Sequence, residues 1–328
     1  NHGVVSDLLD RAKVPEWTKA ATIEDSSGSR SHARRVAQAA EDSGADLLHI
    51  SCQEDADLVP KESSVPVVVS VHDLFDFRPR AIDAGDVPVP LGNRFPSSAR
   101  ARHIASCRAG MQRADLLLCA SELTMEEANV LFPGTKCLLV RDSVDEAFWD
   151  PYKNPRDRSI LGDYEDEEKC LLVSVGEKDP RWRSQFVSEV MSLVPDEVGG
   201  DLSLMRIGVG TIDWERVAAA FQHAEAMIYP GVSVGFRSPP MEAMAAGCPV
   251  LASKLPLHDE VLPPRCLLPA TDPDQWVSAI LEVHSDWSRS GGVPRHVDED
   301  MLSLAKTRFG REAHGVALSK AYNIAMGK

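Results

Sequence analysis

Short apolar runs alternate along the chain with segments of helical periodicity. Apolar runs of four to eight residues bounded by polar residues are typical of parallel strands buried on both faces. Helical spacing and capping residues separate these runs, as where Ser121 precedes one helix and Asp272 caps another that begins at Pro273. The predicted strands are 20–23, 45–50, 66–71, 114–119, 136–140, 171–175, 202–209, 224–229, 249–253 and 266–269.

The alternation of strands and helices predicts an α/β protein with two doubly wound parallel sheets. A polar, charged stretch with two prolines, residues 150–168, interrupts the alternation and is predicted to link two domains. Ligands of such sheets bind beyond the carboxyl ends of the strands. His72, which ends the run 66–71, and the loop around Gly235 are therefore expected on opposite walls of one cleft.

The stretch 229–253 combines a strand end, a loop with Gly231 and Gly235, and a helix that Pro239 and Pro240 begin. The first turn of a helix has free N–H groups and the positive end of the helix dipole, which together favour an anion. Glu242 falls in that first turn, where its carboxylate could accept hydrogen bonds from ligand hydroxyls. Most strand–loop–helix turns bind nothing, so the pattern alone only suggests a ligand site.

The net charge, the apolar runs and the cysteine spacing exclude several classes of protein. The formal net charge of −15 argues against general nucleic-acid binding, which requires neutralisation of phosphates. The chain has no uninterrupted apolar run of 18 residues and no charged-then-apolar leader, so we expect a cytoplasmic protein. Seven scattered cysteines without a Cys-x-x-Cys pair predict neither a zinc site nor a disulfide framework.

One segment carries net positive charge, although the chain as a whole is acidic. Residues 87–114 contain no acid but five arginines. The simple interpretation is a solvated helix face, and the functional one is a basic patch for an anionic acceptor or for membrane headgroups. The arginines are Arg94, Arg100, Arg102, Arg108 and Arg113.

The stretch 229–253 resembles the donor-binding segment of retaining GT-B glycosyltransferases of the family-4 type. That segment reads Tyr-Pro-Ser, a few residues, Glu-Gly-Phe-Gly-Leu-Pro-Pro-Leu-Glu-Ala-Met-Ala-x-Gly-x-Pro-Val-Val-Ala-Ser. Most of its positions match here, although Val234 stands where the family has its first glutamate. The matching residues are Gly235, Phe236, Pro239, Pro240, Glu242, Ala243, Met244, Ala245, Gly247, Pro249, Val250, Ala252 and Ser253.

The resemblance extends in order over most of the chain and implies a GT-B fold of two facing Rossmann-like domains. Residues 1–152 would form the acceptor-side domain, completed by a returning helix at 309–328, and 153–308 the nucleotide-sugar domain. The matching segments include Ala45–His49, Val65–Leu74, Ala120–Thr124, Val140–Asp145 and Leu172–Gly176.

The resemblance also implies roles for individual residues. Glu242 would bind the nucleotide ribose, and the loop Phe236-Arg237-Ser238 would approach the diphosphate through its amides. His72 would contact the donor sugar near the reacting centre. The loop that begins at Gly176 would hold the diphosphate through basic side chains, so that no metal is needed. Its candidates are Lys178, Arg181 and Arg183.

The leading prediction is a retaining, metal-independent glycosyltransferase that moves a sugar from a nucleotide-diphosphate donor to a hydroxyl acceptor. Val234 cannot accept the sugar-hydroxyl bonds of the family glutamate, and only His2-Gly3 could remain of the family's glycine-rich first loop. These departures favour an alternative, a non-catalytic GT-B subunit that binds a partner protein or a glycan. A third hypothesis is another nucleotide-sugar enzyme of the same fold, such as an epimerase.

Overall fold

In the computed structural model, two parallel β-sheets lie on either side of the predicted boundary at residues 152 and 153. The structure describes residues 32–84, 88–176, 179–208, 213–232, 239–293 and 295–328. The predicted strand 20–23 therefore lies outside the described residues. The predicted domain limits themselves stay predictions.

The described part of the N-terminal sheet has the strand order β1-β2-β5-β6, and that of the C-terminal sheet has the order β11-β10-β9-β7-β8. All neighbours within both sheets are parallel, whereas β3 and β4 form a separate antiparallel pair. The strands are β1 (Leu48–Ile50), β2 (Val67–Val71), β3 (Arg80–Ile82), β4 (Val89–Leu91), β5 (Leu116–Cys119), β6 (Lys136–Leu139), β7 (Cys170–Val175), β8 (Leu202–Ile207), β9 (Ala226–Tyr229), β10 (Val250–Ser253) and β11 (Leu267–Leu268).

Helices connect successive strands, as parallel pairing requires. The α-helices of the described residues are α1 (His32–Asp42), α2 (Ser98–Arg113), α3 (Glu122–Leu131), α4 (Glu146–Trp149), α5 (Ser184–Ser192), α6 (Asp196–Gly199), α7 (Trp214–His223), α8 (Pro239–Ala245), α9 (Pro256–Val261), α10 (Pro273–Arg289), α11 (Glu299–Phe309) and α12 (Arg311–Ala325). Single 3₁₀ turns lie at Gln53–Leu58, Arg158–Tyr164, Pro180–Trp182 and Pro264–Cys266.

The sequence patterns account for these elements. Four of the five residues of β2 are buried, which explains a run of apolar β-branched residues without alternation. The predicted caps are confirmed: the Ser121 hydroxyl accepts from the Thr124 amide, and the Asp272 carboxylate accepts from the Gln275 amide. The strands are shorter than predicted at their ends, as for β1, which begins at Leu48 rather than at residue 45.

The last helix packs on the N-terminal sheet. Ala321 of α12 is buried in one apolar cluster with Val68 and Leu116. The Tyr322 hydroxyl also lies 2.7 Å from Nδ1 of His49 in β1. The end of the described chain therefore returns to the sheet on which it began.

The segment 150–168, predicted to link two domains, lies between the last strand of one sheet and the first strand of the other, and it packs on the C-terminal half. Leu161 is fully buried in the core of the C-terminal sheet, and the 3₁₀ turn around it packs on α7. The buried Arg158 guanidinium donates to the carbonyl oxygens of Glu165 and Asp166. Charged residues therefore close local turns here instead of keeping the segment in solvent.

The basic segment forms α2, and its arginines bind its own half of the molecule. Arg100 pairs with Glu54 at 2.6 Å and with Asp76 at 2.5 Å. Arg108 donates to the Phe77 carbonyl oxygen, and Arg113 donates to that of Val59. Three of the five arginines thus bind neighbouring loops of the same half instead of forming a purely solvated helix face.

Contacts join the two halves beside the cleft. Glu260 of α9 accepts hydrogen bonds from the amides of Glu122 (2.8 Å) and Leu123 (2.9 Å), which are the first residues of α3. A carboxylate at this place satisfies free N–H groups and complements the helix dipole. A second contact is an apolar cluster that combines Phe75, Ala84, Val89 and Leu91 with Val232.

Candidate functional site

The candidate site lies where the carboxyl ends of the two sheets meet. A cavity of about 40 Å³ opens there, and both halves of the chain contribute to its lining. The described lining includes His72 after β2, Asp142 after β6, Met241 in α8 and Glu260 in α9. The cleft expected from the topology therefore exists, with His72 on its N-terminal wall.

His72 is held by three groups of its own half. Its Nδ1 lies 3.1 Å from Asp142 Oδ1, and its Nε2 lies 3.0 Å from the Ser51 carbonyl oxygen. The His72 amide also donates to Gln53 Oε1 over 3.0 Å. With acceptors at both ring nitrogens, the arrangement favours the doubly protonated imidazolium.

The pKa shifts of His72 and its neighbour agree with these hydrogen bonds. Burial by itself lowers the pKa of His72, but the hydrogen bond and the charge of Asp142 outweigh it and the pKa lies above its usual value. Burial raises the pKa of the neighbouring Asp73 carboxyl, whereas Arg181 opposes that rise. The cleft thus holds an imidazole with a raised pKa next to a carboxyl and near an arginine of the opposite wall.

Arg181 extends from the 3₁₀ turn after β7. Asp179 caps this turn by accepting from the Arg181 amide at 2.9 Å. The same carboxylate binds the Arg181 guanidinium at 2.7 Å, yet 42% of the arginine side chain stays exposed. A half-exposed guanidinium at a strand end can bind an anionic ligand if it leaves or shares this carboxylate.

Arg183 occupies a different environment. It has left-handed backbone angles (φ +52°) and is buried, with its guanidinium over the Phe186 ring. The guanidinium donates to the Pro230 carbonyl oxygen, to Ser253 Oγ and to the carbonyl oxygen of Ala84 in the other half. Burial lowers the pKa of Arg183 to about 10. Arg183 therefore ties the carboxyl ends of β9 and β10 to the N-terminal half.

Gly176 follows β7 at a place with little room for a side chain. A Cβ atom there would lie 2.7 Å from Ser184 Oγ and 3.0 Å from Trp182 Cβ. The Trp182 ring packs edge-on against the buried ring of Tyr229, the last residue of β9. This aromatic contact fixes the 3₁₀ turn on the sheet, and the Val232 amide reinforces it with a bond to the Arg181 carbonyl oxygen.

The helix of the stretch 229–253 forms as predicted. Pro239 is the first residue of α8, and Glu242 is partly buried in its first turn. Gly247 follows with φ +63°, a left-handed conformation that lets the chain turn into β10. The predicted site residues Lys178, Gly235, Phe236, Arg237 and Ser238 lie outside the described residues, as does Val234.

Sequence reasoning missed two residues of the site. Asp142 orients His72, and Glu260 closes the cleft on the opposite side. Asp142 could have been found, because it follows the sheet's next-but-one strand at the same carboxyl edge as His72. His49 was interpreted as structural, and it lies between Ser70 Oγ and the Tyr322 hydroxyl, with its pKa lowered to about 4 by burial and neighbouring histidines.

Comparison with known proteins assigns this architecture. Residues 166–286 match the family model described as glycosyl transferases group 1. The fold is GT-B. The solved structures that it resembles include a glycosyltransferase from Rickettsia africae (TM-score 0.68, 10% identity, covering 99% of this chain and 88% of that one). Another is HepE from Anabaena in complex with UDP-glucose (TM-score 0.66, 13% identity, 97% and 89%).

The similarity in sequence to a curated relative is local. The O-antigen chain mannosyltransferase RfbU of Salmonella typhimurium is 34% identical over 73 residues, which are 22% of this chain. The match spans only 21% of the relative's length.

No helix among the described residues has the length and apolarity to cross a membrane.

Proposed function

We propose that this protein is a retaining, metal-independent glycosyltransferase that transfers a sugar from a nucleotide-diphosphate donor to a hydroxyl acceptor. The observation that carries the proposal is α8 with Glu242 in its first turn, at the carboxyl edge of a sheet within the matched region 166–286. A helix start, which is the positive end of the helix dipole, beside a carboxylate suits a ligand with both phosphates and ribose hydroxyls. HepE, which shares the fold, has been solved with UDP-glucose.

In the proposed complex, Glu242 accepts hydrogen bonds from the ribose, and the loop of Gly235, Phe236, Arg237 and Ser238 approaches the diphosphate. Gly176 would lie beside the diphosphate, and its lack of a side chain lets the turn with Trp182 and Ser184 pack closely on the end of β7. Base and sugar would occupy the cleft towards His72. The acceptor would enter from the N-terminal half.

The departing diphosphate requires positive charge. Arg181 and Lys178 would supply it, with the start of α8. Arg183 stays a candidate, but its guanidinium would first have to leave the carbonyl oxygens of Ala84 and Pro230. We therefore propose that Arg181 binds the diphosphate directly and that Arg183 mainly positions the loops around it.

His72 would act beside the transferred sugar. As an imidazolium held by Asp142 it can donate a hydrogen bond to a sugar or phosphate oxygen, in exchange for its contact with Ser51. The site would thus accelerate the reaction by positioning and by charge stabilisation rather than by a covalent nucleophile.

The first test is calorimetric titration of the protein with UDP, GDP, ADP and CDP in the absence of added Mg²⁺ and Mn²⁺. We expect micromolar binding of one nucleotide and a loss of at least tenfold in Glu242→Ala. Glu282→Ala, in the middle of α10, is the matched control and should bind normally. Equal affinity of Glu242→Ala and the unchanged protein would contradict the assigned donor site.

The retaining mechanism is tested by following the anomeric configuration of the sugar during transfer. With the sugar nucleotide of the preferred base and a simple hydroxyl acceptor, the anomeric proton of the product is followed by NMR. We expect the anomeric configuration of the donor to persist. An inverted product would refute the retaining mechanism while leaving the donor site intact.

The non-catalytic alternative has one observation in its favour besides Val234. Both basic side chains after β7 that the structure describes already have partners, Arg181 with Asp179 and Arg183 with backbone carbonyls. This hypothesis predicts no nucleotide binding in the titration above and a stable complex with a partner protein. Binding of any one nucleotide with transfer of its sugar would exclude it.

A further inference from the structure

A group of possible metal ligands lies outside the cleft, between α2 and the 3₁₀ turn Gln53–Leu58. Among the described residues, one set of three ligand-type side chains has its donor atoms within 4.8 Å of one another. The set consists of a carboxylate, an imidazole and a thiol, provided by Asp57, His103 and Cys107. None of the three belongs to the proposed donor site.

Two of these side chains are placed by the periodicity of one helix. His103 and Cys107 are four residues apart in α2, so they lie one above the other on the same face. Their Nε2 and Sγ atoms are 3.5 Å apart. Zinc bond lengths of about 2.0 to 2.3 Å imply ligand atoms about 3.3 to 3.7 Å apart in a tetrahedral site. The observed separation already matches one edge of such a tetrahedron.

The third ligand comes from a segment that packs directly on this helix. Gly110, one turn after Cys107, lies so close to the 3₁₀ turn that a Cβ atom would be 1.7 Å from the Ala56 carbonyl oxygen. Asp57 is the next residue in that turn. The two backbones that carry the three ligands are therefore held together by packing.

The local charge favours a cation. Glu54, Asp55 and Asp57 lie in the same 3₁₀ turn. Arg100 binds Glu54 at 2.6 Å and offsets one of these charges, while Glu54 Oε2 still lies 3.9 Å from His103 Nε2. A doubly charged ion on the thiolate and the Asp57 carboxylate would leave the ligand set neutral.

We propose that Asp57, His103 and Cys107 bind one zinc-type divalent ion, with water at the fourth position. A thiolate with an imidazole and a carboxylate selects zinc rather than Mg²⁺ or Ca²⁺, which prefer oxygen ligands alone. On binding, the Cys107 thiol releases its proton to solvent and gives up its 3.2 Å contact with the Glu54 carbonyl oxygen. The His-x-x-x-Cys spacing explains why a search for paired cysteines does not detect the site.

The place of the site in the fold indicates what the ion does. The segment that leads into the 3₁₀ turn also holds His72, through the Ser51 carbonyl oxygen and the Gln53 side chain. An ion that ties this turn to α2 would stiffen the support of the N-terminal wall of the cleft. It would not touch the donor, so sugar transfer stays independent of added metal.

The test uses the untagged full chain, freed of metal with a chelator and titrated with Zn²⁺ against a chromophoric competitor. We expect one equivalent to bind, with affinity reduced at least 100-fold in His103→Ala and at least tenfold in Asp57→Asn. His296→Ala, an exposed histidine elsewhere, is the control and should bind zinc normally. Because His103 is only partly buried, its replacement should leave the fold intact.

Substitution with Co²⁺ identifies the thiolate. We expect a near-ultraviolet sulfur-to-cobalt charge-transfer band in the unchanged protein and its loss in Cys107→Ser. Cys52→Ser, a partly buried thiol outside the set, should keep the band. No stoichiometric zinc binding, or zinc binding that none of the three ligand variants weakens, would overturn the proposal.

Discussion

At the scale of the residue, the pairing of His72 with Asp142 is the most consequential contact of the cleft. The pKa of His72 lies above its usual value in the folded protein. A raised folded-state pKa gives stability that is fully present below the unfolded pKa of about 6.5 and is lost as pH rises through the folded pKa. The contact should therefore stabilise the N-terminal wall most in mildly acidic solution.

Asp142→Asn tests this contact. We expect it to lower the free energy of unfolding by about 1 to 2 kcal/mol at pH 6, because a hydrogen bond to a charged group is lost. The loss should be smaller at pH 9, because the imidazole loses its proton as the pH rises through its pKa. Urea unfolding at both pH values and NMR titration of the His72 ring provide the measurements. Asp46→Asn, an exposed residue of the same half, is the control, and a pH-independent loss would contradict the charged pairing.

Replacing a helical glycine with alanine should have opposite effects on stability at two positions. Gly110→Ala in α2 should destabilise the protein by about 3 kcal/mol or more, since its Cβ would overlap the rigid backbone of Ala56. Gly315→Ala in α12 meets nothing within 4 Å and should stabilise by about 0.5 to 1 kcal/mol. Urea unfolding of both variants decides, and a stable Gly110→Ala would show that α2 and the turn are not in contact.

At the scale of the element, α9 of one half caps α3 of the other through Glu260. A carboxylate at a helix start contributes about 0.3 to 1 kcal/mol at exposed sites. This small value suits a contact that must open and close when substrates enter and leave. Together with the hydrogen bond from the Arg183 guanidinium to the Ala84 carbonyl oxygen, the Glu260 contact indicates that the cleft is closed in this structure.

Glu260→Gln should weaken closure without unfolding either half. We expect a larger radius of gyration in small-angle X-ray scattering and a thermal unfolding midpoint close to that of the unchanged protein. Asp259→Asn, its exposed neighbour, should leave the scattering unchanged. The same radius for Glu260→Gln as for the unchanged protein would argue that the other contacts alone keep the cleft closed.

At the scale of the whole molecule, a bound nucleotide would connect both halves. A ligand that binds only the folded state at 100 times its dissociation constant stabilises it by about 2.7 kcal/mol. We expect the preferred nucleoside diphosphate to raise the unfolding temperature by several degrees and to reduce the radius of gyration. A temperature rise without compaction would indicate binding to the C-terminal half alone.

Much of the fold follows from the sequence, because its signals are local. Apolar runs such as 66–71 become buried strands, and caps such as Ser121 and Asp272 begin helices where predicted. The order of these elements, with the motif at 229–253, was enough to predict two parallel sheets and the GT-B fold. For the segment 150–168, polarity predicts a link between two domains but does not reveal that Leu161 is buried and that Arg158 closes a turn.

What the sequence determined by itself is the set of elements and the chemical types at their ends, His72 and Glu242 among them. Only the tertiary structure decided which partners those side chains have. His72 meets Asp142 across 70 positions, Arg183 meets Ala84 across 99, and Glu260 meets the start of α3 across 138. Secondary structure depends on neighbours within a few residues. The protonation state and the conformational freedom of a site side chain depend instead on contacts that form only when distant strand ends reach one edge of a sheet.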